Sequence, residues 1–287
     1  MSRSLIGCAI DGGTTTIVRV KSAGPSSCVM TACRTIDFGL VALGGPKAKK
    51  AAGRISDALK DWDDEPVAMT VSPSSIMTLP AWFPAGSSQD KRERLSRIEA
   101  GYFLKNVDGW RWDSMPLTPC TERAEGLERQ MIMFYEAEPA RSLHDELGKR
   151  HRMEMSVLHI EPIVRLTEGS SEPQAVLELE EEYIAFFVSR KGRADSLRYW
   201  PVKNASEREF FAIKELGSSP VGGVKVTGLA ADPATVKRIA SGASCSLEPL
   251  GLPPRITEGS ELRGFRLSTG YIRAASTALM ALNPSRI

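Results

Sequence analysis

The chain has 287 residues, 42% of them hydrophobic, which sets an expectation of a globular protein with two domains, or one domain with insertions, around real cores. Its 37 basic and 35 acidic residues leave a net charge of +2, so no broad surface for nucleic acid or anionic lipid is implied. No window approaches the roughly 18 apolar residues of a membrane helix, and the apolar run 5–10 is shorter than a signal-peptide core; a cytoplasmic protein without direct membrane insertion is expected.

Apolar and β-branched runs predict strands over 5–10 and 15–21, joined by the polar turn of "DGGTTT" (11–16), and a third strand over 28–36. Residues 44–62 turn helical, with Ile55, Leu59 and Trp62 on one face, and 66–73 reads as a buried strand. The aromatic "LPAWFP" (79–84) precedes a charged stretch, 87–106, in which Leu95, Ile98, Tyr102 and Leu104 or Lys105 follow helical spacing, with Ser87 or Ser88 as its cap. A strand over 126–137 carries Met131, Met133 and Tyr135; a helix over 138–151, a strand over 153–160 and a helix opened by Glu161 and Pro162 follow.

The segment 175–202 then repeats the opening theme of strand, tight turn, strand, turn, strand. A helix over 205–216 leads to a strand over 224–229 and to a helix capped at Asp232, with Pro233 at its first position, Val236 and Ile239 inside and Gly242 past its end. The last predicted helix covers 268–284. Two βββ-α units in one chain point to an internal duplication.

Catalytic signals are sparse. Cys8, Cys28, Cys33, Cys120 and Cys245 are odd in number and form no C-x-x-C, which favours reduced thiols over a disulfide framework or zinc site. His144 and His151, seven apart on one predicted helix, and His159 in a strand read as surface or satisfied core residues. No catalytic residue is assigned.

The order of elements, the "DGGTTT" hairpin and the later "VTGLAAD" (226–232) resemble the actin, sugar-kinase and Hsp70-like superfamily. Within it, "IDGGTTTIVRV" (10–20) and "RIEAGYFLKN" (97–106) are similar to motifs of the type IV pilus assembly protein PilM and its relative, the cytoplasmic domain of the type II secretion protein GspL. The resemblance implies an α/β, actin-like (ribonuclease H-like) fold of duplicated βββαβα domains. The first would span 1–160 with a small inserted subdomain at about 74–136; the second would span 161–287, with the C-terminal helix packing back on the first.

The same resemblance places ATP at Asp11, Gly12, Gly13, Thr14, Thr15 and Thr16 in a first phosphate loop, at Glu178 in a second, and at Thr227 and Gly228 in an adenosine turn, with Asp11 as the magnesium position. The chemistry suits the first loop: glycines let successive N–H groups converge on an anion, threonine hydroxyls add uncharged donors, and a carboxylate holds Mg²⁺ through water. The second loop departs from the family's D-x-G, reading Glu178-Leu179-Glu180. Glu180 and Glu182 add negative charge, and one like-charge pair at about 5 Å and an effective dielectric near 20 costs roughly 3 kcal/mol. Only 205–224 stands where the family has a whole subdomain.

These departures favour a degenerate member that has lost ATP and magnesium. The implied function is a scaffold of a type IV pilus or type II secretion machine, peripheral to the inner membrane, that binds the cytoplasmic tail of a PilN-like membrane protein and other machine components. An ATP-binding ATPase or kinase using "DGGTTT" is the alternative. By resemblance, the partner-binding residues would be Trp82, Phe83, Arg94, Arg97, Tyr102 and Trp110; the charges equally suit a solvated helix face with pairs such as Glu93 and Arg97, and the aromatics a subdomain core. A filament-forming reading needs a basic amphipathic C-terminal helix, which "ALMALNPSRI" is not.

Overall fold

The computed structural model describes residues 3–24, 27–104, 106–119, 126–219, 221, 223–262 and 269–282. Lys105, Cys120, Ser268 and the 283–284 end of the last predicted helix lie outside these. The chain begins with an antiparallel meander, β1 (Ser4–Ile10), β2 (Thr15–Ser22) and β3 (Cys28–Ile36), and passes through α1 (Leu40–Leu43) and α2 (Ala48–Asp57) into β4 (Val67–Val71), which pairs parallel to β1. A small subdomain follows: β5 (Met77–Pro84), α3 (Gln89–Phe103), β6 (Trp110–Pro116) and β7 (Leu127–Glu136). Next come α4 (Glu138–Leu147), β8 (Met153–Leu158) and α5 (Ile160–Arg165).

A second meander, β9 (Gln174–Leu179), β10 (Tyr183–Arg190) and β11 (Arg193–Pro201), leads through α6 (Ala205–Gly217) to β12 (Gly223–Thr227), which pairs parallel to β9. The chain closes with α7 (Pro233–Ala243), β13 (Ser246–Pro249), β14 (Ile256–Glu258) and α8 (Thr269–Leu282).

The duplication is visible in strand order. One sheet runs β14-β3-β2-β1-β4-β8 and the other β11-β10-β9-β12-β13, so each has a meander whose first strand takes a parallel crossover neighbour, then a second. The expected α/β fold of repeated βββαβα units is therefore the observed one. Packing divides the chain into Met1–Pro73 with Glu136–Leu166 and Gly251–Ile287 as one unit, and Ser74–Tyr135 with Thr167–Leu250 as the other. The sequence reading divides at 160 and assigns 74–136 to the first half, whereas Ser74–Tyr135 packs with the second unit.

In the first unit, α8 lies against β1, β2 and β4. The approach is close because small residues line it: a Cβ on Gly7 would sit 2.0 Å from the Ala274 carbonyl oxygen, and one on Gly270 would sit 2.3 Å from Thr16 Oγ1. Around this seam Leu5, Ala9, Val18, Val20, Ala274, Ala278 and Leu279 share one core, and each large apolar side chain so buried contributes about 1.5–3 kcal/mol. Every residue from Gly270 to Ala281 is buried. Two of the helix's hydroxyls are satisfied within it, Ser276 donating to the Ile272 carbonyl at 2.7 Å and Thr277 to that of Arg273 at 2.8 Å. Arg273, fully buried, forms an ion pair with Asp11 at the end of β1.

Several predicted ends move. Gly242 lies inside α7, not past its end: a Cβ there would meet Ile213 Cδ1 at 2.6 Å, and Ser244 takes the left-handed cap with φ of 52°. His151 falls beyond α4, buried, with Nδ1 3.0 Å from the Glu65 carbonyl oxygen. His159 follows β8 at the start of α5, with Nδ1 3.1 Å from the Val71 carbonyl oxygen. In both, Nδ1 is committed to a backbone carbonyl.

Two predictions test the α8 seam. Gly7→Ala should destabilise by at least about 2 kcal/mol, since its neighbour is backbone that cannot yield, while Gly13→Ala, with open space around it, should leave the thermal midpoint within a degree or two. Arg273→Leu strands a buried carboxylate and should cost about 3–5 kcal/mol in urea unfolding, most of it recovered in the double variant Asp11→Leu/Arg273→Leu.

Candidate functional site

The first candidate site is the turn between β1 and β2. Its geometry follows from the chain's need to satisfy its backbone: the Asp11 N–H donates to the Thr14 carbonyl at 2.9 Å, and the Asp11 and Gly12 carbonyls accept from the N–H groups of Leu40 and Val41 at 2.9 and 3.0 Å. Gly39 lets α1 come this near, because a Cβ there would lie 2.3 Å from the Asp11 oxygen. The glycines of the turn itself, Gly12 and Gly13, have no positive φ, so the left-handed hairpin turn that a Gly-Gly pair suggests is not used. Gly13 is exposed and Gly12 and Thr14 are half-buried.

The structure thus brings Asp11 through Thr16 together, but assigns them different tasks. The Thr15 hydroxyl donates to the Phe38 carbonyl at 2.7 Å, and Thr16 is buried beneath Gly270. These two hydroxyls, expected as phosphate donors, are structural instead. Asp11 is 2% exposed and its carboxylate is paired with Arg273. Magnesium does not fit here: the guanidinium already supplies the positive charge, and a dication beside it would be repelled. An anion alone meets no such obstacle at Gly12, Gly13 and Thr14. Burial, with the Asp11 charge adding to it, pushes the Cys8 thiol up to about 12, so this neighbour is inert core.

The second set lies where β9 and β12 run side by side, with Thr227 in register with Glu178. Glu178 is fully buried and accepts a hydrogen bond from the Tyr183 hydroxyl, whose ring stacks on Tyr199 at 4.7 Å. Glu180 is also buried, its N–H bonded to the Tyr183 carbonyl at 2.9 Å, while Glu182 is exposed. Gly228 has φ of 112°, and a Cβ on it would lie 2.0 Å from the Leu179 carbonyl oxygen. That glycine is required by the close passage of β9, whatever else binds nearby.

The third set is the small subdomain, a sheet of order β5-β7-β6 with α3 against β6. Ser88 caps α3, its side chain accepting from the Lys91 N–H at 3.3 Å. Phe83, expected on the partner surface, is instead buried with Ala81, Ala100, Leu104, Ile132 and Phe134; Trp110 and Trp112 pack against the same cluster. Alternation along β5 accounts for this, since Ala81 and Phe83 point one way and Trp82 the other. Trp82 is 43% exposed. Arg94 and Arg97 are exposed, Arg97 paired with Asp108 at 2.8 Å, and Tyr102 is 77% exposed.

Arg273 is the site residue that sequence reasoning misses. Its signal is a single cation among small and apolar residues in "TGYIRAASTALMAL", which in a buried helix demands a carboxylate partner. Among the described residues no cluster of three or more histidine, cysteine or carboxylate side chains is placed to hold a metal ion, and no helix is long and apolar enough to cross a membrane.

No protein-family model matches the sequence, and a search of curated proteins finds no relative. Solved structures do match. PilM in a PilM–PilN type IV pilus biogenesis complex is similar over 97% of this chain and 98% of that one, with a TM-score of 0.73 at 16% identity. A Bacteroides thetaiotaomicron protein of actin-like ATPase fold matches over 86% and 90%, with a TM-score of 0.54 at 7% identity. The cytoplasmic domain of EpsL, an inner-membrane component of the Vibrio cholerae type II secretion system, matches over 99% and 96%, with a TM-score of 0.51 at 9% identity. Two sheets that share a five-strand order, one of them extended by β14, and this structural likeness together make the chain a protein of the actin-like ATPase fold, built as PilM and the EpsL cytoplasmic domain are built.

Proposed function

We propose that the protein is a scaffold of a type IV pilus or type II secretion assembly machine, holding the cytoplasmic tail of a PilN-like membrane protein and hydrolysing no nucleotide. The observation that carries the second half is the buried Asp11–Arg273 pair. In an actin-like nucleotide site a carboxylate at the end of the first strand is the natural support for Mg²⁺ and its waters, and here that carboxylate is committed to the protein's own helix. The first half is supported by a likeness to the PilM–PilN complex that covers nearly the whole of both chains.

A scaffold of this kind needs a stable frame and an outward anchor. The frame is the α8 seam. For the anchor we propose Trp82, the tryptophan of β5 that the subdomain core leaves outward; half-exposed aromatics carry large shares of binding energy at peptide grooves. Attachment through such a tail would hold the protein at the inner membrane without a span of its own.

Two measurements test this reading. A bound ligand at a hundred times its dissociation constant adds about 2.7 kcal/mol of stability, so millimolar Mg-ATP should leave the thermal midpoint where ATP-free buffer leaves it. A shift of several degrees that Gly13→Glu abolishes would instead establish a nucleotide site. In the second, a fluorescent peptide of a PilN-like cytoplasmic tail should bind the wild type, and Trp82→Ala should weaken it about tenfold or more without moving the midpoint. Equal affinity in the variant would remove Trp82 from the interface, and no binding to wild type would remove the tail.

A further inference from the structure

The net charge of +2 is an average over the chain, and α2 departs from it. Lys47, Lys49, Lys50 and Arg54 are all exposed along its first two turns, while Ala51, Ala52, Ile55 and Ser56 are buried on the opposite side. Among the described residues none of the four cations forms an ion pair. Asp57, the carboxylate of the helix, pairs with Lys60 at 2.9 Å and Arg150 at 3.9 Å, and Arg54 stands 6.0 Å from the Phe38 ring, a contact that leaves its charge in place. The helix packed beside it, α4, has carboxylates of its own at Glu138, Asp145 and Glu146, with Arg141 among them, so the cationic strip is confined to α2.

Stability does not account for this strip. A helix N-terminus is the positive end of the macrodipole and favours acidic side chains. Here the N-cap is Lys47, its side chain caps nothing, and the first turn holds two more lysines and no acid. Lys47 with Lys50, and Lys50 with Arg54, are like-charge pairs three and four residues apart, which weaken a helix further. Cations that the helix disfavours and the solvent faces point to a partner carrying negative charge.

We propose that this face of α2 rests on the anionic headgroups of a phospholipid bilayer. A partner carboxylate is best held by arginine's planar fork, but three of these four cations are lysines, whose compact charge on a long stem suits a layer of phosphates. The strip lies on the outer side of a helix, a shape that meets a plane along its length. Val41, 73% exposed on the adjoining α1, supplies an apolar side chain for the headgroup boundary. Each basic residue near such a surface strengthens partitioning about fivefold, so four give several hundredfold. That attachment is weak and reversible, and it holds a protein only beside a second anchor. The contact therefore deepens the proposed placement at the inner membrane, where a partner's tail is that anchor, yet it needs no tail to be measured.

Co-sedimentation with large vesicles tests it. In low salt the wild type should pellet with vesicles of equal phosphatidylglycerol and phosphatidylcholine and not with phosphatidylcholine alone, and about 0.5 M NaCl should release it. Lys49→Glu/Lys50→Glu should lower the partition coefficient at least tenfold with the thermal midpoint unchanged or raised, since carboxylates suit that end of the helix. Lys203→Glu/Lys237→Glu, the same change in charge at exposed positions outside α2, should keep wild-type binding. Affinity for the tail peptide, measured alongside, should be the same in both variants as in wild type, so the two readings fail separately. A wild type that ignores phosphatidylglycerol, vesicle binding that Lys49→Glu/Lys50→Glu leaves intact, or an equal loss in both double variants would overturn the proposal. So would a glutamate decapeptide that wild type binds through Lys49 and Lys50 while anionic vesicles stay unbound, because the strip would then serve an acidic protein segment.

Discussion

The first unit depends on one buried ion pair. Arg273 and Asp11 lie on elements 262 residues apart in the chain, and neither charge is tolerable in the interior without the other. Bringing them together requires α8 to press on β1 and β2 at a distance that only Gly7 and Gly270 allow, with Ala274 and Ala278 facing the first and Thr16 the second. Once α8 is seated, Thr16 is covered. The turn's other fixed points, Thr15 on Phe38 and the Asp11 and Gly12 carbonyls on α1, hold what remains. A loop with the composition of a phosphate cradle is thereby tied to a helix from the other end of the unit's sequence.

The second unit reuses the strand order for a different balance. Near the end of β9, Glu178 is buried under a tyrosine hydroxyl, and Gly228 lies where β9 passes against its backbone. A glycine that resembles a nucleotide-turn residue thus has a sufficient cause in packing. Residue identity alone does not separate the two causes, since both ask for the absence of a Cβ; the 2.0 Å approach to Leu179 does.

The small subdomain shows how a helical pattern misleads. Serine and alanine do not register as hydrophobic, yet the sheet accepts Ser96 and Ala100 because small side chains let the α3 backbone approach Phe83, Ile132 and Phe134. The larger apolar residues Ile98 and Tyr102 were then free to serve the surface. Sequence periodicity identifies that an apolar stripe exists. Which side of the helix the sheet occupies is settled by shape complementarity, which periodicity does not encode.

The sequence by itself determined the fold class, the duplication, the strands of both meanders and the turn at 11–16, because these rest on local signals: alternation, β-branched runs, glycines and caps such as Asp232. It also shows Glu178-Leu179-Glu180 where the resemblance expects a D-x-G. Tertiary structure alone decided that Asp11 is neutralised by Arg273, that Phe83 is core and Trp82 is not, that Gly242 lies within a helix, and that Ser74–Tyr135 packs with the second unit. Each of these depends on residues far apart in the chain meeting at atomic distance, and a buried charge or a close backbone approach acquires its meaning only from the partner it meets.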